Sequence, residues 1–109
     1  MLRIEGLPPS ALDAAAAFHA GYLPQARALL GGEVEALALV FPEASRDHAG
    51  WRRAAVADLA RAAAPKRVNA IAGEDPAAIE ETLAWLAQAP GVTGQLLPVN
   101  SAQTGNPAI

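Results

Sequence analysis

Few residues in this chain are of the types that move protons, attack electrophiles or hold metals. The 109 residues include two histidines, one tyrosine and no cysteine, which excludes a disulfide framework, a thiolate metal site and a cysteine nucleophile. His19 sits in an alanine-rich run with no carboxylate one helical turn further on, so it reads as a packed or interface histidine and no metal ligand. Asp47 and His48 are types that do acid/base work together, but neighbours at a helix start point to different faces. Glu33 with Glu35, and Glu80 with Glu81, read as solvated charges flanking elements, and no metal site is expected. The basic pairs Arg52-Arg53 and Lys66-Arg67 read as solvated helix faces and ends in place of a phosphate site.

The composition narrows the partners. A net charge of -3 argues against nucleic acid, whose phosphates call for a basic surface. Apolar stretches are broken by charge well short of the about 18 residues of a membrane span, and the first residues lack the basic and apolar regions of a signal peptide. No membrane partner is expected, and a chain without cysteine suits the cytoplasm. The length allows one small domain. By our count 28 residues are alanine, and 52% are hydrophobic but only 5% aromatic. So alanine-rich a domain buries little area per residue, packs its helices closely and needs more surface than it owns.

The elements that must position these residues alternate. Leu2 to Leu7 reads as a short strand stopped by Pro8-Pro9, and Ser10 caps a helix running toward Leu30, with Pro24 bending or interrupting it. Val34 to Phe41 reads as a buried strand. A second helix, Asp47 to Ala64, carries Val56, Leu59, Ala60 and Ala63 on one stripe and stops at Pro65. Arg67 to Gly73 is a third strand, Asp75-Pro76 starts a third helix lined by Ile79, Leu83 and Leu86, and Thr93 to Val99 is the last strand. Such alternation predicts an α/β fold of about four parallel strands with three helices, joined by right-handed crossovers. The domain spans residues 1–100, and residues 101–109 form a tail.

Two stretches carry a resemblance. Arg67-Val68-Asn69-Ala70-Ile71-Ala72-Gly73 is similar to the R-V-N-x-I-x-P-G strand and loop of the short-chain dehydrogenase/reductase family. Val92-Thr93-Gly94-Gln95-Leu96-Leu97-Pro98-Val99-Asn100 resembles that family's terminal I/V-T-G-Q-x-L-x-V-D-G-G. Ala77 to Ala89 is similar to the helix before that strand, and Ala54 to Arg61 to the helix that bears the family's Y-x-x-x-K. The resemblance runs from about Leu12 to Asn100 and implies the C-terminal half of a Rossmann-like, three-layer fold.

The departures concern chemistry. The alignment puts the family's acid/base tyrosine at Ala49 and its lysine at Arg53, and Ser45 lies too close to Ala49 to be the family's serine. The sole tyrosine, Tyr22, falls in the first helix, where packing or an interface is its expected role. The Gly-rich phosphate turn is absent, the proline before Gly73 is missing, and Asn100-Ser101-Ala102 replaces the acidic and glycine turn. The resemblance therefore implies a truncated, noncatalytic member, a pseudoenzyme without cofactor. Its retained helices are those the family uses for subunit contact, and it leaves a sheet edge uncovered.

The expected partner is a full-length NAD(P)-dependent dehydrogenase/reductase subunit or a second copy, met through Phe18, Tyr22, Trp51, Val56, Leu59, Ala63, Leu83, Trp85 and Leu86. Trp51 and Trp85 are candidate anchors, in a core or an interface. The alternative is a minimal NAD(P)-linked oxidoreductase whose site is rearranged around Arg53, His48 or Asn69.

Overall fold

A computed structural model describes residues 1–99. Strand β1 (Leu2–Arg3) leads into helix α1 (Ala11–Ala17), a π-helical turn (Phe18–Tyr22) and helix α2 (Leu23–Leu30). Strand β2 (Ala36–Phe41), a 3₁₀ turn (Arg46–His48) and helix α3 (Ala49–Ala63) follow. Strand β3 (Arg67–Ala72), helix α4 (Pro76–Ala87) and strand β4 (Leu96–Pro98) complete the described chain. The strands form one parallel sheet in the order β1-β2-β3-β4, as the alternation predicts. Asn100 and the tail lie outside the described residues.

Local signals act where the sequence puts them. The Ser10 side chain accepts from Asp13 N–H at 3.1 Å, and the Asp75 side chain accepts from Ala77 N–H at 3.3 Å, each satisfying an orphan donor of a first helical turn. Of the two expectations for Pro24, it is interruption that the first helix shows. Pro24 has no N–H and its ring crowds the carbonyl a turn back, so the preceding turn widens and Leu23 N–H donates to Phe18 O. The wider turn aims Phe18 into the core and brings Tyr22 onto the same side, their rings stacked at 6.4 Å.

One apolar cluster lies between the sheet and helices α1 to α3, built on Phe18, Leu39, Phe41, Val56, Leu59 and Val68. A smaller one, Val40, Ile71, Ile79 and Leu86, lies on the opposite face beneath α4. The chain steps across the sheet in a single direction, so crossovers on opposite faces have opposite hands. The three are therefore not all right-handed, which corrects the expectation from alternation. The reason is space: α3 already packs over β3 and β4, with Gly94 against Ala57 and Ala60. The stripe of α4 finds free sheet only on the other side.

The outer edge of β1 is also partly closed. Ile4 N–H donates to Val40 O at 2.8 Å, so the alternate residue Glu5 faces away from β2. There the Tyr22 hydroxyl donates to Glu5 O at 2.6 Å and accepts from Glu5 N–H at 3.0 Å. β1 is two residues long, carries the exposed Arg3, and ends where Tyr22 takes up the backbone pair that another strand would use. The uncovered edge expected from the sequence is thus short and blunted. Tyr22→Phe is expected to lower stability by about 1 kcal/mol and to speed exchange of the Glu5 amide, read by hydrogen–deuterium exchange.

Candidate functional site

Parallel sheets offer ligands the crevice beyond the carboxyl ends of their strands. Here that end is walled by Ala72, Leu96, Pro98 and Val99 on the sheet side and by Ser45, Arg46, Ala49, Arg52 and Arg53 at the start of α3, around about 340 Å³ of space. A second hollow, lined by Gly6 to Pro9 and Pro42, shares Glu43, Ala44, Ser45, His48 and Arg52 with it. Residues 43–48 therefore form a strap with cleft on both sides.

His48 ends that strap and Arg52 lies beneath it, and both are buried. Trp51 Nε1–H donates to His48 Nδ1 at 3.2 Å, which leaves His48 Nε2–H to donate to Pro9 O at 3.0 Å. Both ring nitrogens are occupied in holding the β1–α1 loop against α3. Asp47 turns away, its carboxylate accepting from the Ser45 hydroxyl, and that hydrogen bond holds its pKa below the ordinary value. The acid/base pair that adjacency suggested is not formed.

Arg52 is only 5% exposed. Its Nη1 donates to Pro42 O at 2.9 Å, and its guanidinium lies 4.5 Å above the Phe41 ring and 5.8 Å from that of Trp51. Burial lowers its pKa from the ordinary arginine value, though a guanidinium stays charged. The Nε has no hydrogen-bond partner among the described residues. The reading of Arg52-Arg53 as one solvated face is corrected: Arg53 is exposed, while Arg52 is a core residue of the cleft floor. Helical geometry separates them, since successive residues point about 100° apart.

Lys66 and Arg67 are corrected in the same way. Lys66 donates to Leu30 O at 2.6 Å and Gly32 O at 2.9 Å, closing the C-terminal end of α2. Arg67 Nη1 donates to Leu86 O at 3.0 Å and Ala89 O at 3.2 Å, closing that of α4. Lys66 meets the terminal carbonyl of α2, and Arg67 adds a charged donor to two carbonyls at the end of α4 that already accept backbone N–H groups, from Ala89 and Val92. Neither signal was legible locally, because the partners are distant in sequence.

The two family-like stretches are bonded to each other. Asn69 Nδ2 donates to Val92 O at 3.0 Å and Asn69 Oδ1 accepts from Gln95 N–H at 3.1 Å. Val68 N–H donates to the Thr93 hydroxyl at 3.0 Å, and Gly94 N–H to Val68 O at 2.7 Å. Gly94 holds a φ of 76°, which favours glycine. A Cβ on Gly73 would meet Val99 O at 2.6 Å, so the second glycine permits close approach of the β3 end to β4. Thr93 to Gln95, expected as strand, serve this turn instead, and β4 proper begins at Leu96.

The expected interface residues divide. Phe18, Val56, Leu59 and Leu86 are buried within the chain's own clusters, so in this fold their apolar area is already covered. Tyr22, Trp51 and Ala63 are half-buried against the larger cluster and Leu83 against the smaller. Trp85 is 54% exposed on α4. Phe18, Phe41 and Trp51 meet at centroid distances of 5.5 to 5.7 Å, so Trp51 anchors a core.

A parallel sheet with helices on both faces and a cleft beyond its strand ends defines a Rossmann-like α/β protein. The family model for SDR-like, short chain dehydrogenase-like proteins matches residues 2–99, and the chain belongs to that family. No curated protein and no solved structure matches it. Among the described residues no group of histidine, aspartate and glutamate is placed to hold a metal ion, and no helix is long and apolar enough to cross a membrane.

Proposed function

We propose that this chain is a noncatalytic SDR-like subunit of the cytoplasm. It associates through its helix faces with a second copy or with a full-length NAD(P)-dependent dehydrogenase/reductase subunit, and it stabilises or modulates that assembly. The observation that carries this reading is the start of α3. The position that aligns with the family's acid/base tyrosine holds Ala49, facing the cleft with no proton to give, while the hydroxyl of the sole tyrosine is bonded to the Glu5 backbone.

Association is supported by what the helices leave outside. Leu12 is 83% and Leu29 40% exposed, and the ends of α2 and α3 frame an apolar hollow of about 440 Å³ lined by Leu30, Leu59, Ala62, Ala63 and Pro65. The rearranged-oxidoreductase alternative loses two of its residues to structure, since His48 and Asn69 have both polar ends committed.

Light scattering across a dilution series tests the proposal. The chain alone, or mixed with a complete family member, is expected to run as a dimer or larger, and Leu12→Arg is expected to shift it toward monomer by at least tenfold in dissociation constant with an unchanged far-UV circular dichroism spectrum. A monomer at every concentration that takes up no such partner sinks it. Reduced dinucleotide is expected to leave nicotinamide fluorescence unchanged; saturable enhancement would favour the enzyme reading.

A further inference from the structure

Three arginines line the cleft at the strand ends, and among the described residues only the Arg52 guanidinium is hydrogen-bonded, through one of its nitrogens. Among the described residues, Arg46, Arg52 and Arg53 line it with one carboxylate, Glu43, whose N–H donates to the neighbouring Glu74 carboxylate, in a chain whose net charge is -3. Arg52 commits Nη1 to Pro42 O, but among the described residues its buried Nε–H has no acceptor and its Nη2 no partner. A buried donor left without an acceptor is costly, and the Nε and Nη2 edge of a guanidinium matches the two oxygens of a carboxylate. The facing wall is apolar, with Ala72, Leu96 and Val99, and the N-terminal end of α3 adds a favourable potential for negative charge.

We propose that this cleft binds a small aliphatic carboxylate, its head group on Arg52, whose enclosed Nε is reached as the 43–48 strap moves aside, with Arg53 at the mouth and the alkyl body against Leu96 and Val99. The apolar wall favours such a ligand over inorganic phosphate, which has no apolar part to bury. The ligand enters beside the 43–48 strap, and binding requires no proton transfer. The inference stands apart from the association reading, because ligand affinity and oligomeric state are measured separately.

The test is a titration of the full ¹⁵N-labelled chain with butyrate, following the Arg52 Nε–H and Trp51 Nε1–H signals. Saturable shifts with a Kd of order 1 mM are expected. Butyramide, equal in shape but uncharged, is expected to leave both signals in place, and inorganic phosphate to bind at least tenfold more weakly than butyrate. Arg52→Lys, which keeps the charge but loses the fork, is expected to weaken butyrate at least tenfold. Arg53→Gln is exposed, folds as the parent does, and is expected to weaken it about threefold; Arg61→Gln, paired with Asp58 elsewhere on α3, is expected to change nothing. The proposal is overturned if butyramide matches butyrate, if phosphate binds while butyrate is silent, if butyrate shows no saturation, or if Arg53→Gln titrates like the parent chain.

Discussion

Phe18→Ala is expected to lower folding stability by about 3–5 kcal/mol, the largest single effect foreseen for this chain. Phe18 is 1% exposed and meets Phe41 at 5.7 Å, Trp51 at 5.5 Å and Tyr22 at 6.4 Å between ring centroids. Phe18 sits where the aromatic side chains of the core gather, and its removal opens a cavity that the Ala, Val, Leu and Ile side chains around them do not fill. The surrounding helix is held by the π-helical turn and cannot simply collapse into the space. Against a total stability of about 5–15 kcal/mol for small domains, such a loss leaves a large unfolded fraction at ordinary temperatures. Urea denaturation followed by Trp51 fluorescence checks it. A midpoint within experimental scatter of the parent would mean that the aromatic cluster does not hold α1 and α3 to the sheet. Phe18→Leu, which conserves most of the volume, is expected to restore over half of the loss.

Asn69→Leu is expected to cost about 2–4 kcal/mol although leucine is close in size and more apolar. The side chain is 3% exposed, and its amide meets Val92 O and Gln95 N–H at once. Leucine would leave both backbone groups without their partner. Asn69→Asp keeps an acceptor for Gln95 N–H but removes the donor to Val92 O and adds a buried charge, so it is expected to be no better. The effect should concentrate at one side of the sheet. Hydrogen exchange at Gly94, whose N–H donates to Val68 O, is expected to accelerate more than exchange in β2. Equal acceleration throughout would show that Asn69 acts on the whole fold and not on the seating of β4. Because Leu96 and Val99 on this segment wall the cleft, the same variant is expected to weaken butyrate binding.

The motifs were legible but their purpose was not. The R-V-N and V-T-G-Q stretches stand out in the sequence by residue type and order, and they point to the family that the family model independently matches. Only the folded chain shows that Asn69, Thr93 and Gly94 fasten two parallel strands together, a use that requires residues more than twenty positions apart to lie side by side. The site was less legible than the fold. Arg52 and Arg53 are adjacent and identical in type, and nothing local distinguishes the one that is buried over Phe41 from the one that faces solvent.

By itself the sequence determined the alternation of strands and helices, the caps at Ser10 and Asp75, the break near Pro24 and the absence of a tyrosine at the start of α3. Each of these depends on a residue's own chemistry and on neighbours within a turn or two, which any chain segment carries with it. The tertiary structure alone decided the face on which α4 lies, the closing of the β1 edge by Tyr22, the capping of α2 and α4 by Lys66 and Arg67, and the burial of Arg52 with one edge unpaired among the described residues. Those outcomes depend on which distant surfaces meet, because burial, and with it the cost of an unsatisfied polar group, exists only once the elements have packed.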